Sequence, residues 1–305
     1  MSLIKKLYRS IIPTWIRSYI AIFTDDKKKR ALRKEILNYY KGLPEKEKSE
    51  EHIKVINFLR WNYLDVFLYP WRNKYNWREV EVFYDDERDL RYVLSENKKL
   101  YFKRSWDEER IKKAYNFLRI EQDQDSPHRY LTEDFQFKSQ GILADIGAAE
   151  GNFSLQVVNS ASFIHLFEMD HEWVEALQAT FAPWSQKVRI INAFVANSES
   201  DNQIKLDTYF EGQARPDFIK IDVEGSELSV LEGANSVIKD AHDDLKIALC
   251  TYHRQTDSST FNKYLEKVNF KVSFSQGLMI YLNDPKLAPP YFRKGLIRAS
   301  KQIDF

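Results

Sequence analysis

From residue 142 onward the chain reads as a regular alternation of strands and helices. Ile142, Leu143, Ala144 and Ile146 form a nearly continuous apolar run, the pattern of a strand buried on both faces of a parallel sheet. Residues 152–158 carry helical spacing, 163–167 are a second strand, and 171–181 a second helix with Pro183 as its stop. Strand signals recur at 188–195, 217–223 and 246–252, with helices predicted at 225–241 and 260–268. Residues 271–274 and 278–282 read as two last strands, a hairpin turning through Ser275-Gln276-Gly277. This order predicts an α/β fold: a doubly wound, mostly parallel Rossmann-like sheet with an antiparallel C-terminal hairpin.

The first 124 residues follow other patterns. Ile4, Leu7, Tyr8, Ile11, Trp15, Tyr19 and Phe23 recur near helical spacing, with Lys5, Lys6, Arg9 and Arg17 between them and Lys27-Lys28-Lys29-Arg30 behind. Residues 1–40 therefore read as a basic amphipathic helical arm, suited to an anionic membrane surface, to a partner, or to the mate of a homodimer. Residues 31–70 look helical with a break at Gly42-Leu43-Pro44, and an aromatic-dense stretch runs from Trp61 to Trp77. Residues 79–103 alternate like a small antiparallel meander, and Ser105 caps a helix reaching Ile120. The expected organisation is an arm over 1–40, an α+β N-terminal accessory region over 41–124, a cofactor-binding domain over 125–284 and a C-terminal tail over 285–305, marked by Pro285, Pro289 and Pro290.

Candidate chemistry begins at the first strand's end. Asp145 leads into a turn holding Gly147 and Gly151, and a helix follows; strand, glycine turn and helix together open a nucleotide-binding unit. A dinucleotide fingerprint wants glycine at 147, 149 and 152, whereas this chain has Ala149 and Asn152, with Glu150 in the turn to repel a diphosphate. The pattern favours a ligand without phosphates and resembles motif I of class I S-adenosylmethionine (SAM) methyltransferases. Asp145, Gly147, Ala148, Glu150, Gly151, Asn152 and Phe153 are then the cofactor loop. Glu168, at the end of the second strand, is placed to accept ribose hydroxyls, with Met169 beside it and Asn192, Ala193 and Phe194 near the adenine.

A second run, Phe218-Ile219-Lys220-Ile221-Asp222-Val223-Glu224-Gly225-Ser226-Glu227, puts Lys220, Asp222 and Glu224 on one strand face. Charges there need partners, and Lys220 with Asp222 or Glu224 is the natural pair. Together with Asp145-Ile146-Gly147-Ala148-Ala149-Glu150-Gly151-Asn152-Phe153-Ser154, Phe167-Glu168, Leu206-Asp207 and Leu231-Glu232-Gly233-Ala234, this run resembles the FkbM family of SAM-dependent methyltransferases, over residues 125–283. The resemblance implies SAM as cofactor and methyl transfer to a hydroxyl, often of a sugar in a cell-surface polysaccharide. A glycan or glycolipid acceptor is the implied partner. Such a transfer wants a base. His253 is the first candidate, with Asp222 or Glu224 orienting it or acting themselves. His128, Arg129, Tyr130, Lys220 and Arg254 are candidates for touching the acceptor, Arg254 by binding an acidic group. Asp222 and Glu224 can hold a divalent ion, but no third ligand is visible in the sequence, so no metal site is assigned.

Composition narrows the alternatives. Charges balance at +1, which gives no bulk nucleic-acid signal, and the single cysteine, Cys250, permits no internal disulfide. No apolar stretch is long enough to span a membrane. The expected location is cytoplasmic, peripheral on the inner membrane face. Two other readings stay open: an NAD-dependent nucleotide-sugar oxidoreductase or epimerase, and a membrane-attached binding module with a vestigial cofactor site.

Overall fold

The apolar run at 142–146 lies in the middle of a seven-stranded sheet. The structure, a computed structural model, describes residues 26–241 and 244–302. In chain order its strands are β1 (Phe83–Asp85), β2 (Leu90–Ser95), β3 (Lys98–Tyr101), β4 (Ile142–Ile146), β5 (Phe163–Phe167), β6 (Val188–Ile191), β7 (Phe194–Val195), β8 (Gln203–Ile204), β9 (Phe218–Ile221), β10 (Lys246–Cys250), β11 (Phe270–Phe274), β12 (Met279–Ile280), β13 (Phe292–Arg293) and β14 (Leu296–Lys301). The large sheet has the order β11-β14-β10-β9-β4-β5-β6. Neighbours from β10 through β6 pair in parallel, and β14 runs antiparallel to both β10 and β11. The doubly wound, mostly parallel Rossmann-like sheet expected from the pattern is therefore present, as is its antiparallel C-terminal pair.

Period-two alternation divides the strands between two cores. Leu143, Phe218, Ala248 and Cys250 face one core, while Ala144, Ile146, Ile219, Ile221, Ile247 and Leu249 face the other. The first core also holds Leu90, Val93 and Leu100 from the β1-β2-β3 meander, Trp106 just before helix Glu108–Glu121, and Ile111 within it. The accessory region is thus packed onto the sheet through a shared interior. That helix is capped by Asp107, whose side chain accepts from Arg110 N, rather than by Ser105. A third cluster joins Ile36 and Tyr40 of helix Asp26–Gly42, Val55 and Leu59 of helix Glu50–Trp61, and Leu278, Ile280, Tyr291 and Phe292.

This third cluster corrects the reading of the C-terminus. The segment with Pro285, Pro289 and Pro290 is no tail: it packs on the N-terminal helices, where Tyr40 donates to Pro290 O at 2.6 Å and Tyr291 to Glu35 Oε1 at 2.6 Å. The strand pairing with β11 is β14, and residues 279–280 pair instead with β13. Prolines exclude ladder pairing only locally, and the Leu296-Ile297-Arg298-Ala299 run beyond them fills the slot between β10 and β11. The arm boundary at residue 40 also moves, because helix Asp26–Gly42 runs through it and buries Ile36 and Tyr40. Residues 1–25, which carry most of the basic arm and its membrane expectation, lie outside the described residues. The third strand ends at Ile191, and Phe194–Val195 turns away to pair with Gln203–Ile204. The helix expected over 225–241 is two, Glu227–Gly233 and Asn235–Lys239. No helix among the described residues is long and apolar enough to cross a membrane.

Candidate active site

A cavity of about 700 Å³ opens at the carboxyl ends of β4, β5 and β9, where ligands bind in open α/β sheets. Its floor is the turn after β4. Gly147 has φ +75°, and a Cβ there would meet Asp222 O at 2.1 Å, so the backbone of the two loops touches only because the side chain is missing. Asp145, 1% exposed, accepts from Ser154 Oγ at 2.6 Å and lies 3.1 Å from Lys220 Nζ. Lys220 also donates to Gly147 O at 2.6 Å. Burial pulls the Lys220 ammonium down, but Asp145 and Asp222 more than offset it and hold it above its ordinary value. Its ion-pair partner is therefore Asp145, not the downstream acids that strand alternation suggested. β9 ends at Ile221, so Asp222 and Glu224 have left the strand and no longer share its face with Lys220.

Glu168 joins the loop to β5. Its Oε2 accepts from Ala149 N at 2.9 Å and its Oε1 from Asp170 N at 2.8 Å. A carboxylate oxygen has a further lone pair, so both oxygens keep capacity for ligand hydroxyls. Burial raises the Glu168 carboxyl above its usual range. Met169, Ala193 and Phe194 line the same end of the cavity. Asn192 does not: its amide donates to Glu168 O and Met169 O at 2.9 and 3.0 Å, which pins the strand end behind them. Asp145, Gly147, Ala148, Glu150, Asn152 and Phe153 all line the cavity. Gly151 does not; it stands at the N-cap of helix Asn152–Val157 with φ 81°.

Asp222 sits at the centre of the other end. Tyr130 Oη donates to its Oδ2 at 3.1 Å and Tyr252 Oη to its Oδ1 at 3.2 Å. The buried imidazoles of His128 and His253 each approach it to 3.6 Å. Burial pushes the Asp222 carboxyl up, but His128, His253 and Lys220 outweigh it and hold the group well below the carboxylate range. Such a strong acid is a poor proton acceptor. Glu224, a third exposed, takes a hydrogen bond from Tyr281 Oη at 3.0 Å, and burial raises it to about 7.

His253 falls behind this wall rather than on it. It is 4% exposed, and Glu227 lies 2.9 Å from its Nδ1. Burial lowers the imidazole and Glu227 raises it more, to about 9, so it is charged at neutral pH and unsuited to the role of free base that its position in the chain suggested. His128 is likewise buried behind Asp222, while Tyr130 and Lys220 line the cavity. Arg129 and Arg254 do not line it: Arg129 O receives Arg298, and Arg254 stands on an exposed turn whose N donates to Asp257 Oδ2 at 2.8 Å.

One carboxyl group was missed. Glu121 ends helix Glu108–Glu121 and lines the cavity together with Ala114, Phe117 and Leu118 from the same helix face. Burial raises it to about 8, with His128 pulling the other way. The signal was present in the sequence, since positions 114, 117, 118 and 121 form one helical stripe. Glu121, Glu150, Asp222 and Glu224 thus stand among nine acidic residues lining the cavity, against four basic ones, an excess that opposes a dinucleotide's pyrophosphate.

Residues 182–272 match the model of the methyltransferase FkbM domain, the family that the motifs resemble. No curated protein matches the chain. Among solved structures, methyltransferase FkbM from Methylobacillus flagellatus KT is 19% identical with a TM-score of 0.43, over 54% of this chain and 44% of that one. The chain therefore spans less than half of that protein's length. Precorrin-6y C5,15-methyltransferase from Geobacter metallireducens GS-15 is 15% identical with a TM-score of 0.40, over 55% of this chain and 82% of that one. A Streptococcus mutans protein described as a methyltransferase, in complex with SAH, is 14% identical with a TM-score of 0.37, over 54% and 90%.

Proposed function

We propose that this chain, a methyltransferase of FkbM type by its match over residues 182–272, is a SAM-dependent O-methyltransferase whose acceptor is a hydroxyl of a sugar. The observation that carries the reading is one continuous cavity. At one end stand the glycine loop, Glu168 and the Ala193-Phe194 strand end, and at the other Glu121, Asp222 and Glu224 under the accessory helix. The residues present fit SAM. The turn at Gly147 admits no side chain, Glu168 keeps lone pairs for ribose hydroxyls, and Met169 and Phe194 supply an apolar wall. The sulfonium and ammonium of SAM suit a cavity lined by carboxyl groups.

SAM supplies the methyl group as an electrophile, and its leaving sulfur keeps the electron pair of the broken carbon–sulfur bond. This chain has to align the acceptor oxygen and remove its proton. Glu121 is the proton acceptor: it lines the cavity, and burial tunes it to about 8, near working pH. Phe117, half-buried on the same cavity, offers an aromatic side chain to a sugar ring. A glycan or glycolipid as the natural acceptor, and a cytoplasmic place beside the membrane, are supported by the family resemblance and by the basic residues before position 31.

The test is transfer of a labelled methyl group from SAM to a neutral sugar acceptor. The expected product holds the label as an alkali-stable ether. Label recovered on an amine or as an alkali-labile ester would contradict O-methylation of a hydroxyl.

A further inference from the structure

We propose that Asp222, Glu224 and His253 form a binding site for a divalent cation such as Mn²⁺ at the acceptor end of the cavity, with Glu227 supporting the histidine from behind. His253 follows β10 and is 4% exposed, yet neither ring nitrogen has an aligned hydrogen-bond partner. Its Nε2 lies 3.6 Å from Asp222 Oδ1 and 3.7 Å from Glu224 Oε2. Its Nδ1 lies 2.9 Å from Glu227 Oε1. Asp222 and His253 also belong, with Glu227, to a cluster whose ligand atoms fall within 4.8 Å of one another, and Glu224 stands beside that cluster, reaching it through His253 Nε2.

Two features make this a built site rather than a chance meeting of acids. The first is the backbone. Glu224 has φ 57° and Gly225 φ 96°, two successive residues in the left-handed region. A non-glycine residue there is uncommon and is kept where the surroundings over-determine it. Glu227 does that here, its Oε1 accepting from Val223 N and Gly225 N at 3.1 Å each. The second feature is the order carboxylate, imidazole, Nε2, where an entering ion displaces the Nε2 proton and takes the lone pair it leaves. A carboxylate beside one ring nitrogen fixes the orientation of a histidine that ligates metal through the other. Glu227 Oε2 is also buried without a hydrogen bond.

Ligands around an ion with bonds of about 2.1 Å stand roughly 3 Å apart. Shifts of more than half an ångström would therefore bring the two separations from His253, 3.6 and 3.7 Å, to that spacing, with the part-exposed Glu224 carboxylate turning toward Asp222 to complete it. One imidazole and two carboxylates select Mn²⁺ or Zn²⁺ over soft cations. Asp222 and Glu224 line the cavity, so the remaining coordination positions face the acceptor. An acceptor oxygen bound there would be oriented, and its hydroxyl made more acidic. That role rests on the methyltransfer reading; the binding of the ion does not.

Titration of Mn²⁺ into the full chain without SAM, followed by the electron paramagnetic resonance of free Mn²⁺, tests the site. One bound ion per chain is expected. His253→Ala and Glu224→Gln are each expected to weaken it at least tenfold, and Glu227→Gln by 10- to 100-fold. Glu224 faces the cavity, so its variant should keep the fold; circular dichroism of every sample checks this, and SAH is titrated in parallel. Absence of a stoichiometric ion, or an affinity indifferent to both His253→Ala and Glu224→Gln, overturns the site. Binding of SAH without the ion leaves the methyltransferase reading standing; binding of the ion without SAH does the reverse.

Discussion

Lys220→Met is expected to lower the free energy of unfolding by about 3–5 kcal/mol, the cost of removing one partner from a buried ion pair. Asp145 is 1% exposed and Lys220 5%. Without the ammonium, the Asp145 carboxylate keeps only the hydrogen bond from Ser154. Its Oδ1, 3.1 Å from Lys220 Nζ, has no hydrogen bond of its own. The same change frees Gly147 O, to which Lys220 donates at 2.6 Å, so the glycine loop should also lose definition. Removing both charges, as in Asp145→Asn with Lys220→Met, leaves no orphaned ion and should recover a large part of the loss. Denaturant unfolding of the two single variants and the double variant measures this. Losses that simply add would show that the pair is not coupled.

Glu121→Gln is expected to lower kcat by 10²- to 10⁴-fold, the range for a general base, with little change in KM for SAM. The pH profile carries the more specific signature. The groups facing Glu121 are His128, Asp222, Glu150 and Glu224, and burial sets its pKa at about 8. A base works when deprotonated, so wild-type turnover should rise through about pH 8 and level off above it. In the glutamine variant that rise should disappear. Stability should move the opposite way. A carboxyl whose folded pKa is raised favours folding only while protonated, and this contribution fades as pH climbs through its folded pKa. Glu121→Gln should therefore unfold at higher denaturant than wild type at pH 8. A variant that loses activity and stability together would mark Glu121 as a packing residue.

Much of the fold was legible because its signals are local. The apolar run 142–146, the glycine turn and the stretch 218–227 each declare themselves within a dozen residues, and the structure places all three around one cavity. What the sequence concealed depends on contacts across long separations. Lys220 alternates in register with Asp222 and Glu224, but strand pairing sets it opposite Asp145, 75 residues earlier, in the β4-β9 ladder. His253 looks like a strand-end catalyst until Glu227 and Asp222 are seen enclosing it. The last strand hid behind three prolines, because the chain first detours to cover the N-terminal helices before returning to the sheet. Glu121 shares a helical stripe with Ala114, Phe117 and Leu118, but a stripe marks only a packed face, and that this face lines a cavity is set by the fold.

If the glycine loop and Glu168 bind the adenosyl cofactor, binding of its demethylated product must depend on Glu168. Calorimetric titration of the full chain with S-adenosylhomocysteine, repeated on Glu168→Ala, tests it most directly. Glu168 holds Ala149 N at 2.9 Å and lines the cavity, so its loss removes the clasp on the loop and, with it, the proposed ribose acceptor. Saturable micromolar binding to wild type and at least a tenfold loss in the variant are expected. No binding to wild type, or equal affinity in the two proteins, would contradict this expectation.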